Sequence, residues 1–361
     1  MRLSDRLDRM IDSAGGRISF SDFMRTALYE RTEGYYSQNV VFGKKGDFMT
    51  APRVHSSFGQ TVARVILDEW ERLGRPRDFA VIELGPGEDS VSLAAFGAPE
   101  LRPEIVGSWK LYLCERGRRR IDTRHSPPPC VVEWIEPDAN IGPLPGIVLA
   151  NEVLDALPFR RLIRRGEGWR ELGVARGPEP VHYLWKEGPL LAPLPPFPIP
   201  EGVAEGTVFE VAEGLPELLR WLAGVLRSGS VYFIDYGDSA ENLLRRFPQG
   251  SLATYEGHVM GEDPLSHPGE RDISAWVDFS RVASEAERAG FRSDGLETQA
   301  QFLHEHGLEE VVRRTESQDP VEGVRARLAL KAFYFGYPDH RVLALRRTRR
   351  SRAERASSLT R

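Results

Sequence analysis

From residue 79 onward the chain repeats one pattern, a short apolar run closed by a turn: FAVIELG, WKLYLCE, CVVEW, GIVLANE and, after an interruption, GSVYFIDYG. Runs that are apolar throughout, instead of alternating, read as strands covered on both faces, and that points to a parallel sheet between two layers of helix. Helical patterns lie between some of the runs. The clearest is PELLRWLAGVLRSG, with Pro216 near its start and Gly229 after its end. The expected fold class is therefore α/β, a Rossmann-like doubly wound sheet. A chain of 361 residues, 41% of them hydrophobic, can bury one such core and carry appendages.

The appendages are legible as breaks in the pattern. Residues 1–75 read as a helical module: Leu3, Leu7, Met10 and Ile11 mark one face of a short helix, and Ser19 or Ser21 caps FMRTALYERTEG. Phe58, Val62, Val65, Ile66, Trp70 and Leu73 then recur at helical spacing before Gly74 and Pro76. Between these helices, residues 34–52 have the glycine, proline and aromatic content of an ordered loop. The core is expected over 76–345, interrupted around 160–206 by an inserted hairpin turning on Gly166-Glu167-Gly168 and by a proline-rich loop. A helix from about 278 to 289, begun by Asp278 and stopped by Gly290, precedes a last strand, RVLALRR, that can return to the sheet edge. Residues 346–361 hold seven arginines and one glutamate with almost no apolar residue, the composition of a disordered tail.

Charge and cysteine usage narrow the function classes. A net charge of −5 with a pI near 6.0 supplies no field to gather nucleic acid or an anionic membrane, and no run of eighteen apolar residues occurs. Two cysteines, Cys114 and Cys130, each in an apolar run that reads as a buried strand, exclude a disulfide framework. Asp5, Asp8 and Asp12 in the opening helix are residues that targeting peptides avoid, so a cytosolic location is expected. His304-Glu305-His306 cannot chelate from one helix face, because residues two apart point to different sides, so no metal is expected.

Chemistry concentrates where the apolar runs end. In VIELGPGEDS a strand closes at Glu83-Leu84 and turns on Gly85-Pro86-Gly87, which lets a ligand approach the backbone at the carboxyl end of the first strand. By itself the same GxG also suits a plain tight turn. The second strand ends at Cys114-Glu115, and a carboxylate there can accept both hydroxyls of a ribose lying across the strand ends, or else pair with neighbouring arginines. After GIVL comes ANEVLDALP, whose Asn151, Glu152 and Asp155 can orient a cationic or amide nitrogen opposite the glycine turn, while Asp155 could equally serve as a helix cap.

With ISFSDFMRTALY, TEGYY, GKKGDFMTAP, ELGPG, ANEVLDALP, FIDYG and the run YEGHVMGEDPLSHPGERDISAWVDF in this order, residues 15–310 resemble the MidA-type methyltransferases. That family includes a mitochondrial arginine methyltransferase needed for complex I assembly. The resemblance implies a sheet that binds S-adenosyl-L-methionine, an N-terminal helical lid over it, and methylation of a protein side chain, with a homodimer compatible. It places the methionine part against Glu83, Gly85, Pro86 and Gly87, the ribose on Glu115, and Asp47 and Thr50 of the lid loop over the cofactor. Asn151, Glu152 and Asp155 would face the acceptor, aligning it for attack on an activated methyl. The chain departs from the family at Glu88-Asp89, where a basic or small residue and a further glycine are usual, and at Arg53, where a glutamate is usual. These departures motivate a rival reading, a catalytically impaired assembly factor that kept the fold. A nucleotide-dependent oxidoreductase is disfavoured, because the turn lacks GxGxxG.

Overall fold

The computed structural model describes residues 2–37, 54–87, 90–116, 127–179, 182–193, 202–256, 259–261 and 263–348. Helices α1 (Leu3–Ser13), α2 (Phe20–Tyr29) and α3 (Ser57–Arg72) precede strand β1 (Ala80–Leu84), which is followed by α4 (Val91–Phe96), α5 (Pro103–Val106), β2 (Lys110–Cys114), β3 (Val131–Ile135) and β4 (Leu144–Asn151). An insertion supplies β5 (Phe159–Arg165), β6 (Gly168–Arg176), β7 (Tyr183–Gly188) and β8 (Val208–Ala212). The core resumes with α6 (Leu215–Val225), β9 (Leu226–Asp238) and α7 (Ala240–Arg246), then three short strands, β10 (Ala253–Glu256), β11 (Val259–Met260) and β12 (Asp272–Ser274). The chain continues through β13 (Val277–Asp278), α8 (Phe279–Arg288), β14 (Arg292–Thr298), α9 (Gln299–Glu305), α10 (Leu308–Gln318), α11 (Pro320–Phe335) and β15 (His340–Arg347).

The main sheet has the order β14-β15-β9-β4-β1-β2-β3, parallel from β9 to β3. Successive side chains point to opposite faces, so each strand feeds two cores. On β1, Val81 joins the layer made by α3, α4, α9, α10 and α11, while Ala80, Ile82 and Leu84 join the layer made by α6 and α8. The apolar runs are continuous because both faces are covered. Strand order reverses between β1 and β4, whose parallel pairing runs from Ala80↔Gly146 to Leu84↔Ala150, and a crevice for ligands opens at such a reversal. At the other end of the contact between β4 and β9, Gly229 sits inside β9 at φ +142°, where a Cβ would fall on the Gly146 carbonyl.

Several sequence expectations change. The expected hairpin is present, β5 and β6 pairing antiparallel down to Arg165↔Gly168, but it is the centre of a four-stranded antiparallel sheet, β7-β6-β5-β8, starting at Phe159 and ending at Ala212. Its outer strands, YLWKEG and VFEVA, were masked by the prolines and glycines around them. RVLALRR does not form the edge. It lies antiparallel between β9 and β14, and the edge strand β14 escaped notice because RSDGLET is polar and broken by a bulge. Arg346 and Arg347, expected in the tail, belong to β15, where Arg346 pairs with Asp294. Residues 349–361 lie outside the described residues. The run containing Cys130 leads into β3, a partly exposed edge strand, and helix α3 packs into the core, not with the N-terminal helices.

The N-terminal helices rest on the insertion. Ser19 caps α2, its Oγ accepting from the Asp22 amide at 3.0 Å. Phe20 meets Phe159 at 5.3 Å and Trp185 at 4.9 Å between ring centroids, and Leu3, Leu7 and Ile11 are buried in the same cluster. No helix among the described residues is long and apolar enough to cross a membrane.

The insertion is pinned by an ion pair. Arg160 donates twice to Glu171, Nε to Oε1 at 3.1 Å, with the two side chains 2% and 0% exposed. Glu171 also accepts from the Leu191 amide at 2.9 Å. Removing one charge strands the other, which costs about 3–5 kcal/mol. Glu171→Gln is therefore expected to lower the urea midpoint sharply, and more than a paired apolar replacement of both residues. Equal midpoints for wild type and Glu171→Gln would contradict this.

Candidate active site at the carboxyl end of the sheet

The turn after β1 demands glycine twice: Gly85 has φ +57° and Gly87 φ +51°. The Gly85 amide donates to the Cys114 carbonyl at 2.9 Å, and a Cβ on Gly85 would meet Val153 at 3.1 Å, so the turn is wedged between the ends of β2 and β4. Pro86 is buried between two exposed glycines, leaving the backbone of the turn open. Glu83 is turned the other way. Its buried carboxylate accepts from the amides of Val91 at 2.7 Å and Ser92 at 3.1 Å and from the hydroxyls of Ser90 and Ser92. Glu83 thus braces the start of α4, whose N-cap is Ser90, and shapes the turn from behind instead of lining it. Burial pushes its carboxyl above the usual range, against these hydrogen bonds.

Glu115 reaches across from β2. Its Oε2 accepts from the Gly87 amide at 3.3 Å and its Oε1 from the Arg116 amide at 3.0 Å, so lone pairs remain on both oxygens. Burial raises this carboxyl too. The guanidinium of Arg116 lies 5.2 Å from the Tyr29 ring centroid, tying the strand end to helix α2.

The loop after β4 is organised by Asp235 of FIDYG, a residue without a role in the expectations above. Its Oδ2 accepts from the amides of Val153 at 3.1 Å, Leu154 at 2.9 Å and Asp155 at 3.3 Å, and its Oδ1 from the Tyr236 amide at 2.9 Å. Held this way, Glu152 takes φ +52°, a left-handed conformation costly for a side chain that is not glycine. Its carboxylate lies 3.6 Å from His340 Nε2 on β15. The Asp155 carboxyl accepts from the Tyr236 hydroxyl at 2.5 Å. Two buried oxygens, Asn151 Oδ1 and Asp155 Oδ1, have no hydrogen-bond partner among the described residues. Asp155 is not a helix cap; it sits in the turn after β4.

The N-terminal module closes over this rim. The Tyr29 hydroxyl donates to the Ala156 carbonyl at 2.8 Å and the Tyr36 hydroxyl to Asp272 Oδ1 at 2.8 Å, with the two rings 5.4 Å apart. Gly85, Glu115, Asn151, Glu152 and Asp155 are thus brought to one end of the sheet, with Tyr29, Tyr36, Asp235, Tyr236 and His340 added. The tyrosines and Asp235 stood in motifs already noted; His340 had no sequence signal. Asp47, Thr50, Arg53 and Glu88-Asp89 lie outside the described residues. No cluster that could hold a metal ion occurs among the described residues.

The model of a family of S-adenosyl-L-methionine-dependent methyltransferases matches residues 61–297. The chain belongs to this family. Its cofactor is S-adenosyl-L-methionine, and its fold is the Rossmann-like fold of these methyltransferases. Among solved structures, a protein from Burkholderia thailandensis crystallised with S-adenosyl-homocysteine is 28% identical, with a TM-score of 0.80 over 96% of this chain and 92% of its own. Two curated relatives are named protein arginine methyltransferase NDUFAF7, mitochondrial. The Danio rerio protein is 27% identical, covering 80% of this chain and 76% of the relative, and the Xenopus tropicalis protein is 25% identical, covering 81% and 73%. Their mitochondrial names overturn the cytosolic placement expected above. Two free cysteines, Cys114 and Cys130, do not choose a compartment.

In this methyltransferase the Asp155 carboxyl is pushed up to about 7, first by burial and then by the nearby charges of Asp272 and Glu152, against the hydrogen bond from Tyr236. Its ordinary value is 3.8. Between these values the folded chain keeps a proton that the unfolded chain has released, so the stability tied to the protonated form is full below pH 4 and is lost as pH rises through about 7. The urea midpoint of the wild type is expected to fall from pH 5 to pH 8, and Asp155→Asn to flatten that slope. Identical slopes for the two proteins would refute the assignment.

Proposed function

We propose that the chain transfers a methyl group from S-adenosyl-L-methionine to an arginine side chain of a protein, with the cofactor against Gly85, Pro86, Gly87 and Glu115 and the acceptor against Asn151, Glu152 and Asp155. One observation carries this reading. At the point where strand order reverses, an open glycine turn with a carboxylate beside it faces a loop whose Asn151 and Asp155 keep buried oxygens without partners. Buried polar atoms are nearly always satisfied, so these two imply donors that arrive with a ligand. The names of the curated relatives support arginine as the acceptor.

When bound, S-adenosyl-L-methionine supplies a methyl group on a sulfonium, an electrophile that needs an aligned nitrogen lone pair more than a strong base. Glu115, with free lone pairs on both oxygens, accepts the ribose hydroxyls. Glu83 keeps the turn in shape without touching the ligand. Asn151 and the two carboxylates hold the acceptor by oriented hydrogen bonds, and Asp235 and Tyr236 fix those groups so that little reorganisation remains. Tyr29 and Tyr36 exclude water from above. The departures behind the impaired-enzyme reading lie outside the described residues, and the experiment below decides it.

Glu115→Ala is expected to weaken S-adenosyl-homocysteine binding, measured by calorimetry, by about 1–3 kcal/mol with the melting temperature nearly unchanged. Glu152→Gln and Asp155→Asn keep shape and remove charge. Isotopic methyl transfer into proteins of the source cell should collapse in both while S-adenosyl-homocysteine affinity holds. Full labelling by both variants would refute the acceptor assignment. No labelling by the wild type would favour the assembly-factor reading.

A further inference from the structure

We infer that helix α11 is the seam of a homodimer, with a second copy of this chain packed on its outer face across a two-fold axis near Leu328. The inference stands apart from the acceptor reading and does not depend on it. Eight large hydrophobic side chains are exposed among the described residues, and four of them, Val321, Val324, Leu328 and Phe335, lie on this one helix. Each is between 48% and 75% exposed. At about 100° per residue these positions fall within about 60° of one another around the helix axis, so they form one continuous stripe.

The opposite face of α11 does the packing. Ala326, Ala329 and Phe333 are buried in the layer over the main sheet, with Phe333 5.8 Å from Phe58 of α3 between ring centroids. Both faces of α11 are therefore apolar, and a helix that is apolar all round is one covered on both sides. Its neighbour α10 shows the solvated alternative: it buries Leu308, Val311 and Val312 and exposes Glu310, Arg313 and Ser317. Phe335 is not a frayed end. The Gly336 amide closes the last turn on the Ala332 carbonyl at 2.7 Å, and Tyr337 packs edge-on against His340 with centroids 5.0 Å apart.

Charge and spacing choose the occupant. Residues 308–335 carry five acidic and five basic side chains, which cancel. At the margins of the stripe Arg325 pairs with Glu322 at 3.1 Å and Arg327 pairs with Glu316. A polyanion or an anionic membrane is drawn by unpaired positive charge, whereas both of these arginines are already engaged. Self-recognition fits the stripe instead. Val321 and Phe335 each stand seven residues from Leu328. A two-fold axis near Leu328 that sets the helices antiparallel brings the large Phe335 of each copy toward the small Val321 of the other.

The area is sufficient for a weak dimer. The four side chains offer on the order of 450 Å² per copy, so the pair buries roughly 900 Å². The aliphatic stems of Arg325 and Lys331 bring the total to the roughly 1,000 Å² that a specific interface needs. An interface of this size dissociates at micromolar concentration.

The test is sedimentation equilibrium of the full chain from about 1 to about 200 μM, where the wild type should pass from monomer to dimer. Leu328→Glu and Leu328→Lys each set like charges against each other at the axis, and each should weaken dimerisation by about tenfold or more. Because Leu328 is exposed, both variants should keep the wild-type melting temperature. An equimolar mixture of the two sets opposite charges together and should recover the dimer, which requires an interface that meets itself at Leu328. Vesicles of phosphatidylcholine and phosphatidylserine probe the rival occupant by co-sedimentation. A wild type that stays monomeric throughout would overturn the seam, as would dimers undiminished in both variants or a mixture no more dimeric than its parts. Wild-type monomers that pellet with the vesicles while Leu328→Glu stays in solution would assign the stripe to a lipid surface instead.

Discussion

The site depends on one buried carboxylate. Asp235, 1% exposed, accepts three consecutive amides of the loop after β4 and a fourth from its own strand. Burying such a group is expensive unless its lone pairs are filled by oriented donors, and here a peptide loop supplies them. The exchange runs both ways. The carboxylate is satisfied by the loop, and the loop is folded back tightly enough to hold Glu152 at a left-handed φ. Burial, and after it the charges of Asp155 and Glu152, push the Asp235 carboxyl well above the usual range. Acidic side chains on adjacent strand ends therefore share a limited capacity for negative charge.

The insertion makes sense as a foundation. Its sheet carries Phe159, Tyr183 and Trp185 toward helix α2, and that helix delivers Tyr29 to the rim. The covering helices are thus rooted on an element added between β4 and α6, not on the main sheet. Their contact with the rim combines the Tyr29 and Tyr36 hydroxyls and the Arg116 stack on Tyr29 with an apolar cluster in which Leu265, Ile273 and Ala275 pack with Tyr35 and the residues of α2.

The parallel strands, the glycine turn and the rim loop were legible in sequence because each has a local physical cause. Buried strands must be apolar on both faces, and Gly85 and Gly87 must tolerate positive φ. The misreadings share a cause as well. Strand β14 is polar and bulged, and β7 and β8 are short runs amid proline and glycine, so only partners distant in sequence make them strands. Glu83, placed by the family resemblance at the methionine site because it precedes the turn, points into the start of α4. Its orientation is decided by the hydroxyls of Ser90 and Ser92 and the amides of Val91 and Ser92, at the start of that helix. His340 reaches Glu152 from a strand nearly two hundred positions away, and no local pattern could announce that.

The antiparallel direction of β15 has a practical consequence. His340 pairs with Tyr236 at the end of the sheet that carries the glycine turn, and Arg347 pairs with Gly229 at the other, so the strand spans the sheet in one pass. At roughly 3.4 Å per residue that is about 24 Å. A dye or surface tether attached at Thr348 would leave from the rim remote from the glycine turn, and the molecule could be immobilised there with the candidate site facing the solution.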